Sequence, residues 1–555
     1  VHSNKLITLD IETKCAVGCT TQCKHALYPH TSDITVVGIW DHTNQERFVH
    51  RSLVTLRNAL TYYFKEGYRL SNHEMRFDIK HLHFHGIDGN WLIDHWEHDT
   101  KLMAYVSTSK IPQEWLTEYE ALRVEENKKL PQGVSHRPAK LHSLKTLAPY
   151  FLEVEPFWED PSNHDNDDYV IKDVEYTAKL YDFFKRKLQE DDQYAFYYDK
   201  QLPWSKELLR AELKGIRLDE GRLKELEQEA IENREHARNQ VNENWGRAQA
   251  EHEMILRANV TIDYKDKCEI ACEKLKEPTE EKIEKTIKRY GALYDKKITR
   301  MKEEGAFALN LNSPVQLQWL LRNYLKYNIR NYAGKDATDK EVLEKLAAKY
   351  PDVNALLDYR KWDKLCSTYY PSYKEFNING RIHCSFNTSD TRTGRLSSSH
   401  PNLQNQPPIT RELFISDPGT VFIIRDLSAI EPTFIAYYSG DKTLTDLLKN
   451  GGDFHGKTAT AIFTYIECDN KEVKQRYPNE RAVAKTAGLA ILYGSGAKRL
   501  KVILDKEGFT DYSLADCKFI VKRIRDLYKG VWNFKKDLDR RLEGGETIQN
   551  YFGRP

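Results

Sequence analysis

No stretch of the 555-residue sequence stays apolar long enough to cross a membrane, and no signal-peptide pattern opens it, although it starts at Val1 rather than Met. The expectation is a protein with no membrane association, residing in cytoplasm. The sequence also lacks charge of one sign: 84 Lys and Arg face 83 Asp and Glu, a net charge of +1. That balance neither marks nor excludes nucleic acid, since basic residues can line a groove while acidic ones hold metal. Nine cysteines, an odd number in a long chain, are no disulfide framework and fit a reducing compartment. There is no internal repeat and no low-complexity tract. What is present is 40% hydrophobic, 30% charged and 11% aromatic residues, an ordinary globular composition. The length predicts about two to four domains.

The first segment alternates strand and helix patterns. Leu6 to Asp10 and Ile34 to Trp40 read as strands, and Leu53 to Phe64 and Val174 to Leu188 as helices, predicting a mixed sheet with helices on its faces. From about 204 to 308 the chain is heavily charged, with apolar residues at helical spacing (Leu223, Leu226, Ile231; Ile283, Ile287, Tyr290), which predicts long protruding helices with solvated faces. Ser313 and Pro314 read as the N-cap and first residue of a helix. Residues 380–440 look β-rich, with TVFIIRDLS as a buried strand ending in a carboxylate, and 453–543 look helical.

Five residues form a first chemical constellation. LITLDIET puts Asp10 and Glu12 on one side of a strand. MRFDIKHL offers Asp78, and DDYVIKDVEYT places Tyr169 and Asp173 on one helix face. Converging carboxylates suit hard divalent ions, and two ions roughly 3.5–4 Å apart can activate water and stabilise a leaving oxygen in phosphodiester cleavage. The set resembles the DEDD exonucleases in their tyrosine-containing form. The resemblance implies an RNase H-like mixed sheet, Asp10, Glu12, Asp78 and Asp173 as ligands of two Mg²⁺ or Mn²⁺ ions, and Tyr169 positioning water. Asp99 in HDTKLMAYV falls on the helix after the second motif. The asparagine that such enzymes carry ahead of that motif's aspartate is displaced: Asn72 stands two residues early and Glu74 near its slot.

A second constellation begins with TRTGRLSSSHPNLQNQP, where Arg395, Gln404 and Asn405 suit the acceptors of a duplex minor groove. VFIIRDLSAIEPT carries Asp426 and Glu431. RAVAKTAGLAILYG repeats Arg481, Lys485, Leu489 and Tyr493 every four residues, a helix face with two cations able to grip a triphosphate. Together these resemble the family A DNA polymerases, the bacterial polymerase I type and its phage relatives. The resemblance implies an α+β right-hand polymerase domain behind the α/β exonuclease domain. By it, Asp426 binds both catalytic metals, two ions per active site, and Glu431 crowds a ribose 2′-OH. Arg481, Lys485 and His455 meet the triphosphate, Leu489 lies near the sugar and Tyr493 near the templating base. Arg395, Gln404, Asn405, Arg411, Arg381 and His383 would face DNA. The implied domains are an exonuclease at 1–200, a thumb with extended helices at 201–330, the first part of the palm at 331–440, and fingers at 441–555.

No histidine follows Tyr493, so the His-Asp-Glu turn that carries the palm's second aspartate in this family is absent. The expectation is an incomplete palm, a split or truncated phage-type replication enzyme acting with a second polypeptide on primer-template DNA and dNTPs, in a bacterial host's cytoplasm if phage-encoded. Alternatives are a stand-alone 3′→5′ exonuclease whose polymerase-like part only binds DNA, and a non-enzymatic assembly subunit. The long thumb offers a place for a processivity factor or simply has longer helices. Cys15, Cys19, Cys23 and His25 make either a structural zinc site or a loop of reduced thiols.

Overall fold

The computed structural model describes residues 5–16, 27–107, 110–129, 140–157, 167–275, 279–303, 309–330, 335–391, 393–427 and 429–554. Cys19, Cys23 and His25 lie outside the described residues, and Cys15 ends a strand. The chain forms two compact units, one of residues 1–220, 372–422 and 545–555, the other of 221–371 and 423–544.

The first unit is built on a five-stranded mixed sheet. Its strands are β1 (Leu6–Cys15), β2 (Ser32–Asp41), β3 (Glu46–His50), β4 (Arg69–Asn72) and β5 (Trp96–Asp99), in the order β3-β2-β1-β4-β5. β1 runs antiparallel to β2 and parallel to β4. Both predicted strands and both predicted helices are present, the helices as Leu53–Lys65 and Asp167–Glu190. Alternation explains the site-bearing strand: Ile7, Leu9 and Ile11 are buried at 4% exposure or less, while Asp10 and Glu12 on the other side stay partly open. The Asp167–Glu190 helix buries Val170, Val174, Ala178, Tyr181, Phe184 and Leu188, spaced three to four apart, as one stripe toward the sheet.

That helix can lie close because Gly38 of β2 has no side chain. A Cβ there would meet Val170 Cγ2 at 3.0 Å and Val174 Cγ1 at 3.3 Å. The same unit carries a small sheet of β6 (Ile216–Leu218), β7 (Asn377–Ile378), β8 (Arg381–Ile382) and β11 (Phe414–Ile415), and a ribbon of β9 (Ser385–Asn387) and β10 (Ser397–Ser399).

The second unit is helical. A helix spans Glu220–Glu273 with a kink at Trp245, whose indole N–H donates to Asp352 at 2.7 Å. Its buried residues stop at His252, and the Glu280–Glu303 helix buries none. These two solvated stretches touch where the Thr261 and Tyr294 hydroxyls lie 3.0 Å apart, matching the long charged helices expected from the sequence. Ser313 caps the Pro314–Gln318 helix by accepting from the Gln316 amide, as anticipated. Around Val483, Ala487, Ile491, Leu500 and Ile524, a separate core joins the helices of 430–543.

One expectation fails. TVFIIRDLS forms no strand over 421–427, and Val421, Ile423 and Ile424 stand 81%, 89% and 92% exposed. The apolar, β-branched run reads as a buried strand, but a strand exists only when a neighbour takes up its N–H and C=O groups. None of the described strands pairs with it. The β-rich character expected of 380–440 is likewise limited to strands of two or three residues.

Candidate functional site

Carboxylates predicted from two distant segments meet at the central strand of the sheet. Ligand oxygens of Asp10, Glu12 and Asp173 all lie within 4.8 Å of one another. β1 supplies the first two, and the helix over Gly38 supplies Asp173, which is only 5% exposed. Tyr169 sits one turn before Asp173 on that helix. Burial, then repulsion from Asp173, Asp78 and Glu12, holds the Asp10 carboxyl well above the usual range. A carboxyl that resists ionisation beside other carboxylates is short of neighbouring positive charge, and all-oxygen donors suit a hard divalent ion.

Asp78 is not in that close group. Its Oδ1 accepts from the Ile11 amide at 3.2 Å and its Oδ2 from Asn72 Nδ2 at 2.6 Å, within reach of Asp10's field. Burial pushes its pKa well up against these bonds. Asn72, out of place in the motif, is thus the group that holds Asp78. Glu74 turns instead to Lys101, 2.6 Å away, from a left-handed backbone at φ 61°. Asp99 caps the Thr100–Val106 helix and accepts from four amides, those of Glu74, Met75, Lys101 and Leu102. Sequence reading missed Lys145, whose ammonium pairs with Asp173 and lies 4.3 Å from the Tyr169 ring centre. Its only signal was a lone cation in the otherwise uncharged stretch LKTLAPYFL.

Of the residues expected to face DNA, Gln404 and Arg411 line a common cleft of about 260 Å³ with Gln406, Leu403, Ile216 and Phe414. The amides of Gln404 and Asn405 donate to Asn402 Oδ1 at 3.0 and 3.3 Å, and both residues are exposed. Arg395 is exposed. Arg381 and His383 are engaged internally: Arg381 Nη1 donates to Asp417 at 2.6 Å, and His383 Nδ1 lies 2.8 Å from the Glu212 carbonyl.

In the second unit, Arg481, Lys485 and Leu489 share the Pro478–Leu492 helix, with Tyr493 as its C-cap. Tyr493 is 65% exposed and Lys485 is exposed. Arg481 makes a two-pronged contact with Asp453, Nε at 2.5 Å and Nη2 at 3.0 Å. Burial, then the charge of Arg481, lowers the His455 pKa to about 4. Glu431 opens the Ile430–Ser439 helix, and Asp426 lies exposed in the irregular segment before it. Among the described residues, Asp10, Glu12 and Asp173 are the one grouping of three His, Cys, Asp or Glu with metal-binding spacing, and Asp426 belongs to none.

Residues 276–555 match the model of DNA polymerase family A. DNA polymerase I of Chloroflexus aurantiacus is 29% identical over 405 residues, covering 70% of this chain and 35% of that protein. The thermostable DNA polymerase I of Thermus filiformis is 35% identical over 260 residues, 44% of this chain and 29% of the relative. The DNA polymerase of Escherichia phage T5 is 26% identical over 412 residues, 70% of this chain and 42% of the relative. The chain thus spans less than half the length of these relatives. Among solved structures, the POL domain of Pol1 from M. smegmatis, in complex with DNA primer-template and dNTP, aligns with a TM-score of 0.66 at 20% identity over 100% of this chain and 77% of that one, a likeness of fold. No helix among the described residues is long and apolar enough to cross a membrane. With the match extending across the Arg481–Tyr493 helix and the Asp426 segment, the chain belongs to DNA polymerase family A.

Proposed function

We propose that this chain is the 3′→5′ proofreading and nucleotide-binding part of a split or truncated DNA-directed DNA polymerase of phage replication type, needing a second polypeptide for the palm. The observation that carries the nuclease half is the convergence of Asp10, Glu12 and Asp173, with Tyr169 one turn from Asp173. Two divalent ions, Mg²⁺ or Mn²⁺, held by these residues and Asp78 would supply activated water and a stabilised leaving oxygen. The protein's own part is to hold the carboxylates in place through Ile11, Asn72 and the close-lying helix, and to aim the Tyr169 hydroxyl at the attacking water. For polymerisation, Arg481 and Lys485 would grip the triphosphate, Tyr493 and Leu489 would lie at the nascent pair, and Gln404, Asn405, Arg395 and Arg411 would follow primer-template DNA.

A second chain is favoured by the exposed Val421, Ile423, Ile424 and Leu427, a β-type run beside Asp426 that no described strand pairs with. Asp426 also belongs to no grouping of three or more His, Cys, Asp or Glu with metal-binding spacing among the described residues. The test is direct. With Mg²⁺, the purified chain should shorten 5′-labelled single strands and leave a primer-template unextended. Asp10→Ala with Glu12→Ala should abolish the shortening. Robust extension by the single chain, or nuclease activity surviving the double substitution, would overturn the reading. A stand-alone exonuclease, the second reading, is separated from it by adding a palm polypeptide bearing the His-Asp-Glu turn: restored extension supports the split polymerase, and none supports the exonuclease.

A further inference from the structure

Lys145 is 8% exposed on the Leu144–Leu152 helix, whose other buried residues, Leu144, Thr146, Leu147, Ala148 and Pro149, carry no charge. Its ammonium pairs with Asp173 and lies 4.3 Å from the centres of both the Phe157 and Tyr169 rings. Removing an ammonium from water is costly unless it is closely partnered, so this cation is held in one place by one carboxylate and two ring faces. Two of those three partners, Asp173 and Tyr169, are among the five nuclease residues. The charge of Lys145 also reaches Asp10, where it works against the repulsion of the other carboxylates.

Resting on the nuclease reading above, we propose that Lys145 is a positioning residue that shares Asp173 with the metal, holding Asp173 and Tyr169 in register while limiting how tightly a divalent ion binds there. A fixed positive charge one contact away repels an incoming dication and competes for the same carboxylate oxygen. Its removal therefore strengthens cation binding, whereas loss of a merely structural lysine would leave binding unchanged or weaken it.

The experiment is titration of the whole chain with Mn²⁺ alone, followed by calorimetry and by the electron paramagnetic resonance of free Mn²⁺. Lys145→Met, which keeps the apolar contact with the rings, should bind Mn²⁺ about tenfold or more tightly, a conservative reading of a charge–dication repulsion at this range. Lys145→Arg should bind as the native chain does. Unchanged or weaker binding by Lys145→Met overturns the proposal. Lys145→Gln makes the same comparison if the methionine variant does not fold. Asp10→Ala with Glu12→Ala serves as the control on the site: loss of Mn²⁺ binding supports the nuclease reading independently, and retained binding overturns that reading and this proposal together.

Discussion

Asp10 stands opposite Gly38 across the β1–β2 ladder, and Gly38 is where the helix carrying Asp173 presses onto the sheet. The missing side chain on one strand sets how near the third carboxylate comes to the first. A Cβ at position 38 would meet the Val170 carbonyl at 3.1 Å as well as the Val170 and Val174 methyls, and backbone does not rotate away. Gly38→Ala should therefore lift the helix by a few tenths of an ångström. Nuclease activity on a labelled single strand should fall about tenfold, since small misplacements of reacting groups are expensive. Val170→Ala in the same chain should restore part of it. Full activity in Gly38→Ala would mean that this approach does not position the site.

The Asp453 carboxylate does two things at once. It caps the Phe454–Ile462 helix by accepting from the His455 amide at 3.0 Å, and it receives the Arg481 fork. Burial works to raise its pKa, but the Arg481 bond and the amides of Gly456 and His455 bring it below the usual carboxylate range. Asparagine caps helices as well as aspartate does but cannot form the ion pair. Asp453→Asn should lower stability by about 1 kcal/mol and Asp453→Ala by about 2 kcal/mol. Urea denaturation of the three chains measures both, and equal losses would show that the cap contributes nothing.

His42 gives the first unit an acid limit. Burial lowers its pKa to about 4 against the pull of Asp41, and its Nε2 lies 2.8 Å from the Thr8 hydroxyl. An unfolded histidine titrates near 6.5, so between about 6.5 and 4 only the unfolded chain takes up the proton. Stability is lost as pH falls through that window. His142, also lowered by burial to about 4, acts in the same direction. Asp99 acts oppositely: burial raises it to about 6, so its contribution is present at low pH and lost as pH rises through that value. Thermal denaturation should show a lower midpoint at pH 5 than at pH 7, with a smaller fall in His42→Gln, which keeps a polar partner for Thr8 but cannot titrate. An identical fall in both chains would remove His42 from the account.

Local patterns carried much of this protein. Alternation placed Asp10 and Glu12 on one side of β1, four-residue spacing placed Tyr169 above Asp173 and ran Arg481 through Tyr493 along one helix, and Ser313 capped the helix it precedes, because each depends on neighbours a few residues away. Tertiary structure alone decided the rest. It brought Asp173 to Asp10 over Gly38 and gave Asn72 to Asp78. It set Lys145 against Asp173, and it turned Arg381 and His383 inward, to Asp417 and the Glu212 carbonyl. It also left the Val421–Leu427 run unpaired with any described strand, where composition alone reads a buried strand. The difference is physical: a helix face or strand alternation is written in the chain's own period, whereas a hydrogen bond or ion pair between distant segments exists only once packing has chosen which segments meet.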